Sequence, residues 1–213
     1  MRVFNSLASD YDAWFEEDGR LIFASEVEAL RQGLPLLPKP WIEVGVGSGR
    51  FAQALGIDIG LDPSSKLLEM ARNRGVSVFL GRGEEVPFQD GIFGTAFFVV
   101  TLCFVDSPMR TLGEAARLLK NGGKVVLGMV LRESPWGQLY YVERQRGHPF
   151  YSHAVFYGYG EVDVLLKQAG FSVEQITSTL FQSPREVKHI ELPQQGFSAN
   201  AGFTVILAGK TTA

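Results

Sequence analysis

Sulfur and imidazole are scarce in this chain. Its 213 residues include one cysteine, Cys103, and three histidines, His148, His153 and His189. A single cysteine excludes an internal disulfide and gives no support to a thiolate metal site. The histidines show no H-x-x-x-H spacing, so no metal is expected. Clustered positive charge is missing as well. The 20 Lys and Arg are scattered against 23 Asp and Glu, for a net charge of −3. That balance argues against a grip on nucleic acid, which needs a basic stripe. Long apolar runs are also absent. The longest, residues 96–100 extended toward 105, falls far short of the ~20 residues that span a bilayer. The opening M-R-V-F-N-S-L-A-S-D-Y has no continuous apolar stretch. No secretory leader is therefore expected, and the expected location is cytoplasmic.

Glycine, by contrast, is plentiful and well placed. Residues 41–51 read W-I-E-V-G-V-G-S-G-R-F: an apolar strand running into Gly45, Gly47 and Gly49, with Glu43 two residues before the first glycine. Alternate glycines let a backbone turn tightly and approach a ligand without Cβ clashes. In an open α/β sheet such a turn lies at the carboxyl end of the first strand, where nucleotide-like ligands bind. A dinucleotide fingerprint would space the glycines G-x-G-x-x-G. Here the third glycine comes one residue early and Arg50 follows it, which disfavours a nicotinamide-dependent oxidoreductase.

The rest of the chain alternates strand and helix signals. Helices are expected over residues 20–32, 66–74, 108–119 and 161–169, and strands over 41–46, 57–61, 76–80, 93–102, 124–131, 171–177 and 203–208. Asn121-Gly122-Gly123 is expected to cap the helix before the fifth strand. This alternation predicts a parallel sheet with helices on both faces. The rhythm stops over residues 132–160, where aromatic residues and two of the three histidines collect. Residues 178–202 read as a long loop.

The segment E-V-G-V-G-S-G at 43–49 resembles the first motif of class I S-adenosylmethionine-dependent methyltransferases, (D/E)-x-G-x-G-x-G. Further segments are similar to that family. Gly83-Glu84-Glu85-Val86-Pro87-Phe88 resembles its loop after the third strand. Residues 114–123, E-A-A-R-L-L-K-N-G-G, resemble its E-x-x-R-x-L-(K/R)-P-G-G segment, with Asn121 in place of the proline. Phe4 through Trp14 resembles a segment that closes over the cofactor. The resemblance points to the small-molecule branch, of the ubiquinone and menaquinone biosynthesis type. It implies a Rossmann-like, doubly wound, mostly parallel seven-stranded sheet with an antiparallel last strand. It also implies one domain over 1–213, with an N-terminal helical lid at 1–33 and a substrate-recognition insertion at 132–160.

The resemblance implies the site as well. Gly45, Gly47 and Gly49 would lie along S-adenosylmethionine, and Glu43 would orient its methionine ammonium. Asp62 would accept the ribose hydroxyls, although Asp-Pro is also a common turn. Pro63 and Ser64 would flank the nucleoside, with Ser64 equally a helix cap. Gly83 and Glu84 would meet the adenine, Thr101 the methionine moiety, and Tyr11 would act as a lid residue. No catalytic residue is fixed; His148, His153 and Tyr151 are candidates, one histidine as a general base. The implied reaction is methyl transfer to a small-molecule acceptor, leaving S-adenosylhomocysteine. The fourth strand lacks the (N/D/S)-P-P-(Y/F) motif of DNA and protein-glutamine methyltransferases. A non-catalytic module that binds the same cofactor would show the same motifs.

Overall fold

In the computed structural model, which describes residues 2–211, β1 (Trp41–Val44), β2 (Ile59–Asp62) and β3 (Ser77–Leu80) lead the sheet. They are followed by β4 (Phe93–Val99), β5 (Leu119–Met129), β6 (Phe171–Thr179), β7 (Gln194–Gln195) and β8 (Phe203–Lys210). The strand order is β3-β2-β1-β4-β5-β8-β6-β7. The pairs β1–β2, β1–β4, β2–β3 and β4–β5 are parallel, and β8 runs antiparallel to both β5 and β6. The expected architecture stands, with one addition. The two-residue β7 pairs with β6 inside the segment expected to be loop, making eight strands rather than seven.

The helices are α1 (Arg2–Ser6), α2 (Ala8–Trp14), α3 (Arg20–Arg31), α4 (Arg50–Leu55), α5 (Ser65–Asn73), α6 (Pro108–Leu118), α7 (Pro135–Gln145) and α8 (Tyr159–Gln168). Serine starts three of them. The side chains of Ser64, Ser107 and Ser134 accept N–H bonds from Leu67, Arg110 and Gly137. Pro108 and Pro135 then occupy the first turn, where a missing N–H costs nothing.

Two apolar layers sandwich the sheet. Along β4 every residue is buried. Phe97 and Val99 face a layer containing Leu30 of α3, Phe51 of α4 and Trp136 of α7, while Ala96 and Phe98 face Leu112 of α6 and Leu166 of α8. That is the signature of a strand covered on both faces. Two boundaries differ from expectation. The Asn121–Gly123 turn lies inside β5, as a bulge where the pairing steps from Phe93–Leu119 to Thr95–Lys124 and Gly122 takes φ +73°. Residues 2–14, which carry no clear periodicity, form two short helices.

The topology sets the site. From β1 the chain winds outward through β2 and β3, then returns to place β4 on the other flank of β1. The carboxyl ends of β1 and β4 therefore diverge at a switch point, where such sheets bind ligands.

Candidate active site

At that switch point lies a cleft of about 610 Å³. Gly45, Gly47, Asp62, Pro63, Gly83, Glu84, Thr101 and Tyr11 all line it. Asp62 organises its floor. One carboxyl oxygen accepts the Gly47 N–H at 2.9 Å and the other the Ser64 N–H at 2.8 Å. Burial pushes its pKa up, and those two N–H groups pull against that. The acid thus ties the glycine turn to the start of α5 and still faces the cleft.

The three motif glycines play different parts. A Cβ on Gly49 would sit 2.9 Å from the Ala71 backbone, so this glycine lets α4 pack on α5. A Cβ on Gly45 would collide with Thr101. A Cβ on Gly47 would meet nothing nearer than the Tyr11 hydroxyl at 3.6 Å, and Gly47 holds φ +53°. Only Gly47 presents bare backbone to open space, as a close ligand approach requires.

Three expected contacts stand back from the lining. Gly49 is one. Ser64 caps α5, and its hydroxyl donates to Asn5 Oδ1 at 2.8 Å, binding the N-terminal segment down. Glu43 lies beneath the cleft, 1% exposed, with Oε2 unpartnered. Burial and then the charge of Asp62 push its pKa well up, against one N–H from Ala52. Glu84 has a scaffolding task too. Its Oε1 accepts the N–H groups of Asp106 and Ser107 at 2.7 and 3.2 Å, shaping the entry to α6.

A second cavity of about 930 Å³ adjoins the cleft, and Phe4, Tyr11, Val100 and Phe104 belong to both walls. Val100 takes φ +51°, a conformation that is costly for a β-branched residue. Its N–H is held by the Gly128 carbonyl at 2.8 Å. The strained residue marks the junction of the two cavities.

Residues 132–160 divide between the two faces. Tyr140, His148 and Tyr151 line the second cavity as a stack, with ring centroids 4.2 Å apart for His148–Tyr151 and 4.3 Å for Tyr140–Tyr151. The Nδ1 of His148 faces the N–H groups of Phe150 and Tyr151 at 3.3 and 3.4 Å, which occupies one basic nitrogen. His153 is exposed and outside both cavities. Tyr157 and Tyr159 pack against the opposite core layer. Burial pushes the Cys103 thiol up to about 12, which removes it as a thiolate nucleophile.

The N-terminal segment is anchored by residues the sequence reading passed over. Asp12, next to Tyr11, accepts Arg50 Nε and Nη2 at 2.9 and 2.8 Å and Arg74 Nη2 at 2.7 Å. Burial would raise its pKa, yet hydrogen bonds from Arg50, Ser48 and Arg74 hold it well below the carboxylate range. Arg74 also donates to the Ser48 carbonyl at 2.8 Å, so the clamp grips the glycine turn directly. Arg50, in place of a third spaced glycine, was the available signal. Glu26 of α3 was missed as well. It lines the second cavity one turn from Ile22 and Leu30 on the buried face of its helix.

These features define a fold and a site. A methyltransferase domain model matches residues 42–127. An uncharacterized protein of Mycobacterium tuberculosis is 44% identical over 203 residues, covering 94% of this chain and 71% of that protein. An uncharacterized protein of Methanocaldococcus jannaschii is 37% identical over 210 residues, covering 99% of this chain and 100% of that one. A crystal structure from Thermotoga maritima, described as an S-adenosylmethionine-dependent methyltransferase and possible histamine N-methyltransferase, superposes with a TM-score of 0.91. It shares 39% identity and covers 99% of both chains. The chain belongs to the class I S-adenosylmethionine-dependent methyltransferases. Among the described residues no acidic, His or Cys cluster could hold a metal ion, and no helix is long and apolar enough to cross a membrane.

Proposed function

We propose that this methyltransferase acts on a small-molecule acceptor seated in the aromatic cavity. The observation that carries this reading is the shared wall: the cofactor cleft and the second cavity meet at Phe4, Tyr11, Val100 and Phe104. The description of the Thermotoga maritima structure, which names a small amine, agrees with it.

The cleft suits the cofactor. Gly47 offers bare backbone, Asp62 offers carboxylate oxygens for hydroxyl groups, and Gly83 with Glu84 closes the far side. Glu43 and Thr101 stand nearest the turn for the amino-acid moiety. When bound, S-adenosylmethionine supplies an electrophilic methyl group on a sulfonium that is already a good leaving group. The chain's own task is then to position the acceptor's lone pair in line and exclude water. Tyr11 and Phe4 cover the junction, with Asp12 holding that cover to Arg50 and Arg74. Tyr151 and His148 act as wall residues of the acceptor cavity. The lid at 1–33 and the recognition role of 132–160 are parts of the same proposal; Tyr140 and Tyr151 carry the latter.

Calorimetry with S-adenosylhomocysteine, followed by labelled-methyl transfer across a panel of small acceptors, tests the reading. Binding of the product cofactor and methylation of at least one compound are expected. Tight NAD binding with none for the adenosyl ligand would overturn it, and cofactor binding with no transfer to any acceptor would favour a sensing module.

A further inference from the structure

Five acids are buried among the described residues: Glu26, Glu43, Asp62, Glu84 and Glu191. Four have backbone donors. Asp62, Glu84 and Glu191 accept two N–H bonds each, and Glu43 is held by Ala52. Glu26 is 5% exposed, and no hydrogen bond or ion pair reaches its carboxyl group among the described residues; burial alone acts on it. An ionised carboxylate in such a place is costly unless something pairs with it. Packing alone does not require an acid there, because Ile22 and Leu30 fill the same helix face with apolar side chains.

The surroundings say what would pair with it. Glu26 lines the 930 Å³ cavity with Trp14, Phe15, Tyr140 and Tyr151, and among the described residues no Lys or Arg side chain lines that cavity. Its other titratable groups are Asp10, His148 and Tyr11. Aromatic faces attract flat apolar groups and cations and give nothing to anions. The negative charge of Glu26 is felt by Tyr11, Tyr140 and Tyr151, each of which it pushes toward a higher pKa.

We infer that Glu26 is the specificity-determining group that pairs with a basic nitrogen of the acceptor, so that the substrate class is aromatic or heteroaromatic amines. This rests on the methyl-transfer reading of the adjoining cleft. Burial raises Glu26 to about 8, so at pH 7 it is mostly protonated. Seating an ammonium group there sends that proton to solvent and leaves a neutral carboxylate–ammonium pair. The acceptor nitrogen that receives the methyl group needs a free lone pair, so a second nitrogen or a deprotonated amine meets the reaction's demand.

The test uses the intact protein saturated with S-adenosylhomocysteine and three probes of one shape: 2-phenylethylamine, 2-phenylethanol and phenylacetate. Calorimetry should show the amine binding about ten- to a hundredfold more tightly than the alcohol, the range for a charged hydrogen bond. Phenylacetate should bind least, and the amine should release about one proton at pH 7 by comparison of two buffers. Glu26→Gln should remove the preference for the amine while leaving product-cofactor affinity unchanged. Equal binding of amine and alcohol to the unaltered protein, no probe binding, or a preserved preference in the folded Glu26→Gln variant would each overturn the assignment. Failure of the cofactor itself to bind would instead bring down the methyl-transfer reading, and this assignment with it.

Discussion

Asp62 and Glu26 are buried acids in adjoining cavities, and they are built in opposite ways. Asp62 grows from a strand end and has a backbone N–H on each oxygen. Glu26 projects from a helix among aromatic rings and has no donor among the described residues. The first arrangement fixes a shape before any ligand arrives, at the expense of tying fold and site together. The second buries a carboxyl group without a partner, which costs the folded state stability as soon as the group ionises. One cavity is thus prepared by the scaffold, and the other is completed by what enters it.

Gly47→Val should separate the two cavities most sharply. The new side chain would enter the open space below the Tyr11 hydroxyl, and nothing else in the protein obstructs its Cβ. The strain of a left-handed backbone costs about 1–2 kcal/mol, which a folded domain survives. Product-cofactor affinity should nevertheless fall by more than about a hundredfold, or 2.7 kcal/mol. Normal cofactor binding by a folded variant would show that the glycine turn serves only the fold.

Next comes Asp62→Ala, which should weaken cofactor binding by roughly 1.5–3 kcal/mol, the range for hydrogen bonds to a charged group. The two N–H groups it now satisfies would lose their acceptor, so the melting temperature should fall as well. Cofactor affinity left intact beside a lowered melting temperature would make Asp62 a scaffold residue alone.

Glu26→Gln should act on stability in the reverse sense. The folded state holds this carboxyl at about 8, against about 4.3 for an ordinary glutamate. A raised carboxyl pKa means that the folded chain binds the proton more strongly, so stability drops as pH climbs from the ordinary value through 8. The variant lacks this penalty. It should match the parent near pH 4 and exceed it by about 5 kcal/mol at pH 8.5, the worth of carrying the carboxyl pKa from its ordinary value to about 8. Denaturant melts at the two pH values check the sign, and a parent more stable at high pH would mean that Glu26 has a partner after all.

The same contrast explains what the sequence revealed. The cofactor side is local. Gly45–Gly49 and Asp62 lie within twenty residues, and their chemistry follows from strand, turn and strand, so the switch point and most of its lining were readable in advance. Ser64 and Gly49 stand back from the cleft lining, in positions where helix caps and close packing use the same residue types as ligand contacts. The second cavity is assembled from α2, α3, α7 and the ends of β4 and β5, far apart in the chain. No short pattern encodes such a meeting. Glu26 was hidden because a single acid on an amphipathic helix reads as part of the solvated face, and its buried position depends on how α3 lies against the sheet. The aromatic density of residues 132–160 was visible, but which tyrosine faces which layer was not.

That last division yields the smallest and most discriminating expectation. Tyr151 stacks between Tyr140 and His148 in the second cavity, whereas Tyr157 packs on the opposite layer and contributes its backbone carbonyl to Arg132. A double substitution would mix a wall change with a core change. Tyr151→Ala alone should weaken binding of an aromatic amine probe by about 0.5–1.5 kcal/mol, the worth of one aromatic pair. Tyr157→Phe should leave it within error, because ring and backbone both remain. Both variants should bind the product cofactor as the parent does, since neither residue lines the cleft. Parallel titrations with cofactor and probe decide the matter. Equal loss of probe binding in both variants would mean that the segment acts through its fold as a whole, and the cavity wall would lose its claim to acceptor choice.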